Sequence, residues 1–139
     1  MNVLVDTSVW SLALRRKREH LSASESAVAG ELTELIREGR ACILGLIRQE
    51  LLSGIRFPEQ FEKIRTLLRE FPDERITTRD HEATAMQSNA CRSRGVSPSV
   101  VDILICQVAV SRGWPIFTSD PDFQRYAKII PIQLHTVRV

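Results

Sequence analysis

The chain reads as a single α/β domain with a largely parallel sheet, and three observations predict this. Short apolar runs alternate with amphipathic helical stretches from one end to the other, the order that builds a parallel sheet covered by helices. The first run, Val3-Leu4-Val5, shows no polar alternation, as expected of a strand buried on both faces, and it stops abruptly at Asp6. The segment from Val100 to about Ser111 is apolar almost all round its helical wheel, the pattern of a central helix. At 139 residues the chain can bury one substantial core and no second one, so residues 1–139 form one domain.

Each element follows from its residues. After Asp6, an apolar stripe of Val9, Trp10, Leu12 and Ala13 predicts a helix that runs out into Arg15-Arg16-Lys17-Arg18, cations that suit a helix C-terminus. Ser22 or Ser24 caps a second helix carrying Val28, Leu32, Leu35 and Ile36 and stopped by Gly39. Ala41 to Gly45 is a short apolar strand, and the helix from Leu46 to about Ile55 follows it with Glu50 inside. Pro58 opens a helix with Phe61, Ile64, Leu67, Leu68 and Phe71 on one face. Arg75 to Thr78 is a weaker strand, and the segment from about Arg79 to Arg94 is a helix of modest amphipathicity closed by Gly95. Ser97-Pro98-Ser99 starts the central helix, and Gly113 ends it. Pro115 to Thr118 is a fourth strand, Ser119 to Phe123 begins a short helix, and a fifth strand lies near Ile132 to Leu134.

Composition removes several function classes. With 43% hydrophobic and 26% charged residues and a net charge of +2, the chain is neither disordered nor basic enough for charge alone to demand nucleic acid. Three cysteines, Cys42, Cys91 and Cys106, lack C-x-x-C spacing, and two of them lie in apolar stretches, which fits a reducing cytoplasm. No stretch approaches the roughly 18 apolar residues that a membrane span requires, and the N-terminus lacks a basic segment followed by a long apolar one. Neither secretion nor membrane insertion is expected.

Four acids stand where the fold calls for neutral residues. Asp6 lies at a strand's carboxyl end, where open α/β sheets bind ligands. Glu50 has Leu46, Ile47, Ser53 and Gly54 as its helical neighbours and no cation beside it. Asp102 interrupts the most hydrophobic helix, and an unpaired buried carboxylate is costly. Asp120 precedes Pro121 at a strand-to-helix turn. Each has a competing structural reading. Asp6 and Asp120 would serve as helix caps, and Asp102 would close a box with Ser99, although Ser97 before Pro98 reads as the better cap. Together the four acids fall on or just after strand-to-helix transitions, or early in the central helix, so all can meet at one sheet edge. Carboxylates about 4 to 5 Å apart repel by on the order of several kcal/mol per pair even at an effective dielectric of about 20, so such a cluster needs a cation. All-oxygen ligands select Mg²⁺ or Mn²⁺ over zinc, and His20, His81 and His135 are too scattered for a zinc site. The chemistry such ions favour is phosphate-ester cleavage.

The spacing Asp6-Thr-Ser-Val-Trp, Arg48-Gln-Glu50-Leu, Asp102-Ile-Leu-Ile and Thr118-Ser-Asp120-Pro-Asp122-Phe resembles the PIN domain, and specifically the VapC-like toxin ribonucleases of type II toxin–antitoxin pairs, over nearly the whole chain. The opening and final motifs are the specific ones. The resemblance implies a three-layer α/β/α sandwich with a five-stranded, mainly parallel sheet in strand order 3-2-1-4-5. It implies that Asp6, Glu50, Asp102 and Asp120 are catalytic and hold Mg²⁺ or Mn²⁺, that Asp122 is a further metal ligand, and that Thr7 and Thr118 orient ligands or water from behind. The implied substrate is single-stranded RNA or an RNA loop, cut by water to leave 5′-phosphate and 3′-hydroxyl ends. The implied partners are a small antitoxin that covers the acidic pocket and a second copy of the chain in a homodimer. Arg15, Arg16, Lys17, Arg18, Arg92, Arg94, Arg125 and Lys128 are candidate contacts to an RNA backbone or solvated surface charges.

Other readings fit less of the sequence. A receiver-type signalling domain needs an Asp after the third strand and a Lys after the last, and neither stands there. A nucleotide-binding module would carry a glycine-rich loop after the first strand, where Asp6-Thr7-Ser8 offers none. A catalytically inactive PIN-like module that binds RNA or protein is the alternative that keeps all the motifs.

Overall fold

A computed structural model describes residues 1–139. Three parallel strands form its sheet in the order β2-β1-β3, with β1 at Val3–Val5, β2 at Ala41–Cys42 and β3 at Ile116–Phe117. Val3 lies opposite Ala41, and Leu4 opposite both Cys42 and Ile116. All three residues of β1 are fully buried, as its unbroken apolar run predicts.

Five strands were expected, and the outer two are reduced to single bridges. Ile43 pairs in parallel with Asp73 outside β2, and Ile116 pairs in parallel with Leu134 outside β3. The expected order is therefore kept while the ladders are not. Pro72 and Pro131 precede these two edge segments, and a residue without an N–H cannot extend a ladder. The predicted strand at Arg75 to Thr78 is displaced to Asp73. Thr77 instead caps the next helix, its hydroxyl accepting from the Asp80 N–H at 3.2 Å while Asp80 Oδ2 accepts from the Thr77 N–H at 2.8 Å.

The helices are α1 (Thr7–Leu14), α2 (Ala23–Arg37), α3 (Gly45–Ser53), α4 (Pro58–Leu68), α5 (Thr78–Ser93), α6 (Val100–Arg112) and α7 (Asp122–Tyr126). α1 packs on α2 and α3, α3 on α4, and α5 on α6, giving with the sheet the three-layer sandwich. Ser22 rather than Ser24 caps α2, in a reciprocal box with Glu25. Pro58 is in the first turn of α4, as its rigid φ favours. Gly113 ends α6 at φ +70°, a left-handed conformation that costs other residues more. Six consecutive or nearly consecutive residues of α6, from Ile103 to Ala109, are buried, which makes it the central helix expected.

Charged side chains tie the outlying segments down. Arg112 donates to Asp80 at 2.7 Å and Glu74 at 2.9 Å, joining the end of α6 to the segment entering α5. Buried Glu31 on α2 accepts from Arg138 at 2.8 Å and bonds His135 at 2.6 Å, which fixes the C-terminal segment.

Candidate active site

Asp6 follows β1 directly and occupies the cap position of α1, yet its side chain makes no capping hydrogen bond. Its carboxylate is only 4% exposed and turns instead to two hydroxyls: Ser8 Oγ and Thr118 Oγ1 each donate to Oδ2 at 2.8 Å. Thr118 lies just past β3, so the carboxyl ends of two parallel strands meet here. The same hydroxyls organise the loop after β3. Ser8 Oγ accepts from the Ser119 N–H at 2.9 Å, and Thr118 Oγ1 accepts from the Asp120 N–H at 3.0 Å. Burial raises the Asp6 carboxyl above its ordinary range, and the hydroxyls of Thr118 and Ser8 oppose that rise without cancelling it.

Asp102 enters from the first turn of α6. The cap of this helix is Ser99, not Ser97: its hydroxyl accepts from the Asp102 N–H at 3.1 Å. The box is one-sided, because the Asp102 carboxylate accepts from the Tyr126 hydroxyl at 3.0 Å and not from the Ser99 backbone. Burial pushes its carboxyl up to about 6, and the nearby charges of Asp6 and Asp120 add to the rise against the opposing Tyr126 bond. The Tyr126 phenol is itself pushed up, by burial and then by Asp102, so it stays protonated and donates. Asp120 shapes the last turn locally: its Oδ1 accepts from the Asp122 N–H at 2.9 Å in an Asx turn, while the cap position of α7 is Pro121 and not Asp120 as the capping reading expects. Asp6 and Asp120, from two other elements, therefore both come close enough to act on the Asp102 carboxyl.

The other predicted residues are engaged differently. Glu50 is exposed on α3 and forms no hydrogen bond or ion pair, while its motif neighbour Arg48 is structural, binding Asp73 at 2.9 Å, the Leu68 carbonyl at 2.9 Å and the Phe71 carbonyl. Asp122 pairs with Arg125 at 3.0 Å. The Thr7 hydroxyl is buried with no hydrogen-bond partner, and Ser8 makes the bonds to Asp6. No three carboxylate, imidazole or thiol groups converge on one ion position. The donor set nonetheless fits a hard divalent ion: two partly or fully desolvated carboxylates without a cationic partner, a third beside them, and an orphaned hydroxyl adjoining Asp6 in the chain.

Ser8 and Tyr126 were not singled out from the sequence. Tyr126 had a signal, since it follows Phe123 at helical spacing on an apolar face and a buried phenol needs a hydrogen-bond partner. Ser8 had none that separates it from Thr7. The largest cavity, about 690 Å³, lies away from these acids, lined by Leu32, Ile36, Leu67 and Phe71 among others. A groove of about 460 Å³ adjoins the site, with Ser8, Ser119, Arg16 and Glu25 in its walls.

The fold and site define an α/β protein with a group of acids at the carboxyl edge of a parallel sheet. The chain belongs to the PIN domain family, which residues 3–129 match. It is 29% identical over 140 residues to Ribonuclease VapC11 of Mycobacterium tuberculosis, spanning 98% of this chain and 99% of that one. VapC ribonuclease Mb1587 of Mycobacterium bovis matches to the same extent. Among solved structures, FitAcB from Neisseria gonorrhoeae superposes with a TM-score of 0.73 at 17% identity, covering 96% of both chains. VapBC2 from Rickettsia felis, bound to a DNA fragment from their promoter, gives 0.70 at 18% identity, covering 97% of this chain and 98% of its counterpart. At such identities these likenesses bear on the fold alone.

Proposed function

We propose that this chain is a divalent-metal-dependent endoribonuclease, the toxin of a toxin–antitoxin pair, cutting single-stranded RNA or RNA loops by water attack on the phosphodiester. The observation that carries this reading is Asp6: a carboxylate 4% exposed, at the end of the central strand, partnered by hydroxyls and not by a cation, with Asp102 close by. Membership of the PIN family and the ribonuclease names of its relatives support the same reading.

Asp6, Asp102 and Asp120 would hold Mg²⁺ or Mn²⁺, with Glu50 and Asp122 available from α3 and α7. When bound, such an ion neutralises charge at the phosphoryl group and makes a water acidic enough to attack near neutral pH. The chain's own residues prepare the place. Ser8 and Thr118 hold Asp6 through Oδ2 and leave Oδ1 free of both hydroxyls. Through Ser119 and Asp120 they also hold the loop after β3 against the β1–α1 turn. Of the candidate cations, Lys17, Arg18, Arg92, Arg94 and Lys128 are exposed and engaged in no ion pair and so are available to an RNA backbone, whereas Arg16 is paired with Glu25 and Arg125 with Asp122. Likeness to VapBC structures supports a small antitoxin partner. Three free cysteines support a reducing cytoplasm, and no helix is long and apolar enough to cross a membrane.

End-labelled single-stranded RNA incubated with the purified chain tests the proposal. Discrete cleavage is expected with Mg²⁺ or Mn²⁺ and none in excess EDTA, with at least about a hundredfold loss in Asp6→Asn. Equal cleavage in EDTA overturns it. A second reading, a PIN-like module that binds without cutting, is favoured by one observation, the exposure of Glu50, which makes no hydrogen bond that would hold its carboxylate toward the other acids. Binding without cleavage under every metal condition would select it.

A further inference from the structure

We infer that Tyr126 is a positioning residue for the acid site, its hydroxyl holding one oxygen of the Asp102 carboxylate so that the other is presented to a divalent ion. The inference rests on the metal-site reading above and deepens it.

Tyr126 closes α7, and its hydroxyl donates to Asp102 Oδ2 at 3.0 Å. Tyr126 is the foremost side-chain donor to that carboxylate, with Ser99 a lesser one whose hydroxyl chiefly accepts from the Asp102 backbone N–H at 3.1 Å. A carboxylate otherwise turns between broad, nearly equivalent orientations, and a donor fixed on one oxygen selects among them. The donor here is fixed. Tyr126 is 3% exposed, and its ring packs edge-on against the fully buried ring of Phe123 with centroids 5.1 Å apart. The other end of the same short helix is also anchored to the site, since the Asp122 N–H bonds Asp120 Oδ1 at 2.9 Å. α7 thus bridges Asp120, on the loop after β3, to Asp102 on α6. A buried phenol that needed only an acceptor could use a backbone carbonyl. Placing it on a carboxylate that already faces two like charges has a use if that carboxylate must be held in one orientation.

The role is separable from packing because Tyr126 is the only tyrosine in the chain. Fluorotyrosine incorporated into the whole protein gives one fluorine resonance, which is expected to shift saturably on titration with Mg²⁺ and to lose that response in Asp102→Asn. By calorimetry, Tyr126→Phe is expected to bind Mn²⁺ about tenfold more weakly, the lower end of the loss seen when a ligand's outer hydrogen bond is removed, with its melting temperature in EDTA little changed. A purely structural phenol would give the opposite pattern, a lower melting temperature and unchanged Mn²⁺ affinity. That pattern, or a fluorine resonance indifferent to saturating Mg²⁺ while Mn²⁺ still binds, overturns the inference. Should Tyr126→Phe fail to fold, the fluorine titration of the unsubstituted side chain decides alone. Wild-type Mn²⁺ affinity in Asp6→Asn would instead overturn the metal-site reading, and the inference with it.

Discussion

At the scale of single residues, Asp102 sets stability against function. Its carboxyl lies at about 6 in the fold against an ordinary 3.8, so the folded chain binds more protons than the unfolded one between those values. The stability this contributes is complete below about 3.8 and is lost as pH rises through about 6. In EDTA the melting temperature should therefore carry a falling component over that window. Asp102→Asn keeps an oxygen for Tyr126 and removes the charge, so its melts should lack that component and be more stable than wild type at pH 7. The same variant should lose most of its stabilisation by Mn²⁺, and RNA cleavage with it. A mutant clearly less stable in EDTA would return Asp102 to a structural role. Asp80 and Glu31 act with the opposite sign. Their carboxyls are held low, Asp80 chiefly by the Arg112 hydrogen bond and Glu31 by Arg138 and His135 against its burial, so their contributions are lost as pH falls below the ordinary carboxylate range. The acids of the site were legible because carboxylates in apolar surroundings, such as Asp102 in α6, have no inexpensive structural explanation. Ser8 and Tyr126 were not, because a hydroxyl next to another hydroxyl, or an aromatic on an apolar face, is ordinary until the fold shows what it touches.

At the scale of elements, the Arg112 clamp ties the end of α6 to the start of α5. Arg112 reaches both oxygens of Asp80, at 2.7 and 3.0 Å, and Asp80 is itself nearly buried while capping its own helix at Thr77. Asp80→Ala removes a charged hydrogen-bond partner and half of a capping box. It should lower unfolding free energy by about 1.5–3 kcal/mol, read as a lower urea midpoint at unchanged slope. A change within error would mean that Glu74 and the Arg75 carbonyl suffice to hold Arg112. Helix positions were legible from apolar spacing, caps and stops, to the point that Pro58 and Gly113 mark ends of α4 and α6. The edges of the sheet were not. A short apolar run predicts burial, and burial does not require a ladder: at Asp73 and Leu134 a single bridge suffices, and Pro72 and Pro131 deny a longer one. Arg48 shows the converse, a residue inside a functional motif whose guanidinium is spent on three structural acceptors.

At the scale of the molecule, the parallel sheet brings to one edge acids that are far apart in sequence, which is why the order of strands matters more to the site than their length. The PIN resemblance predicts two further properties of the whole chain. Sedimentation at tens of micromolar should show about twice the 15.8 kDa of the monomer, and the protein drawn from its native host should bring a small antitoxin with it. A persistent monomer that is always purified alone would count against both. The central claim is that Asp6, Asp102 and Asp120 hold one divalent ion between them, and crystals soaked in Mn²⁺ test it most directly through the metal's anomalous scattering. The account predicts a peak within ligand distance of these three carboxylates, about 2.0–2.2 Å for a hard ion that mimics Mg²⁺. Mn²⁺ found elsewhere on the chain, or ordered crystals at saturating Mn²⁺ with no peak among the three, would contradict it.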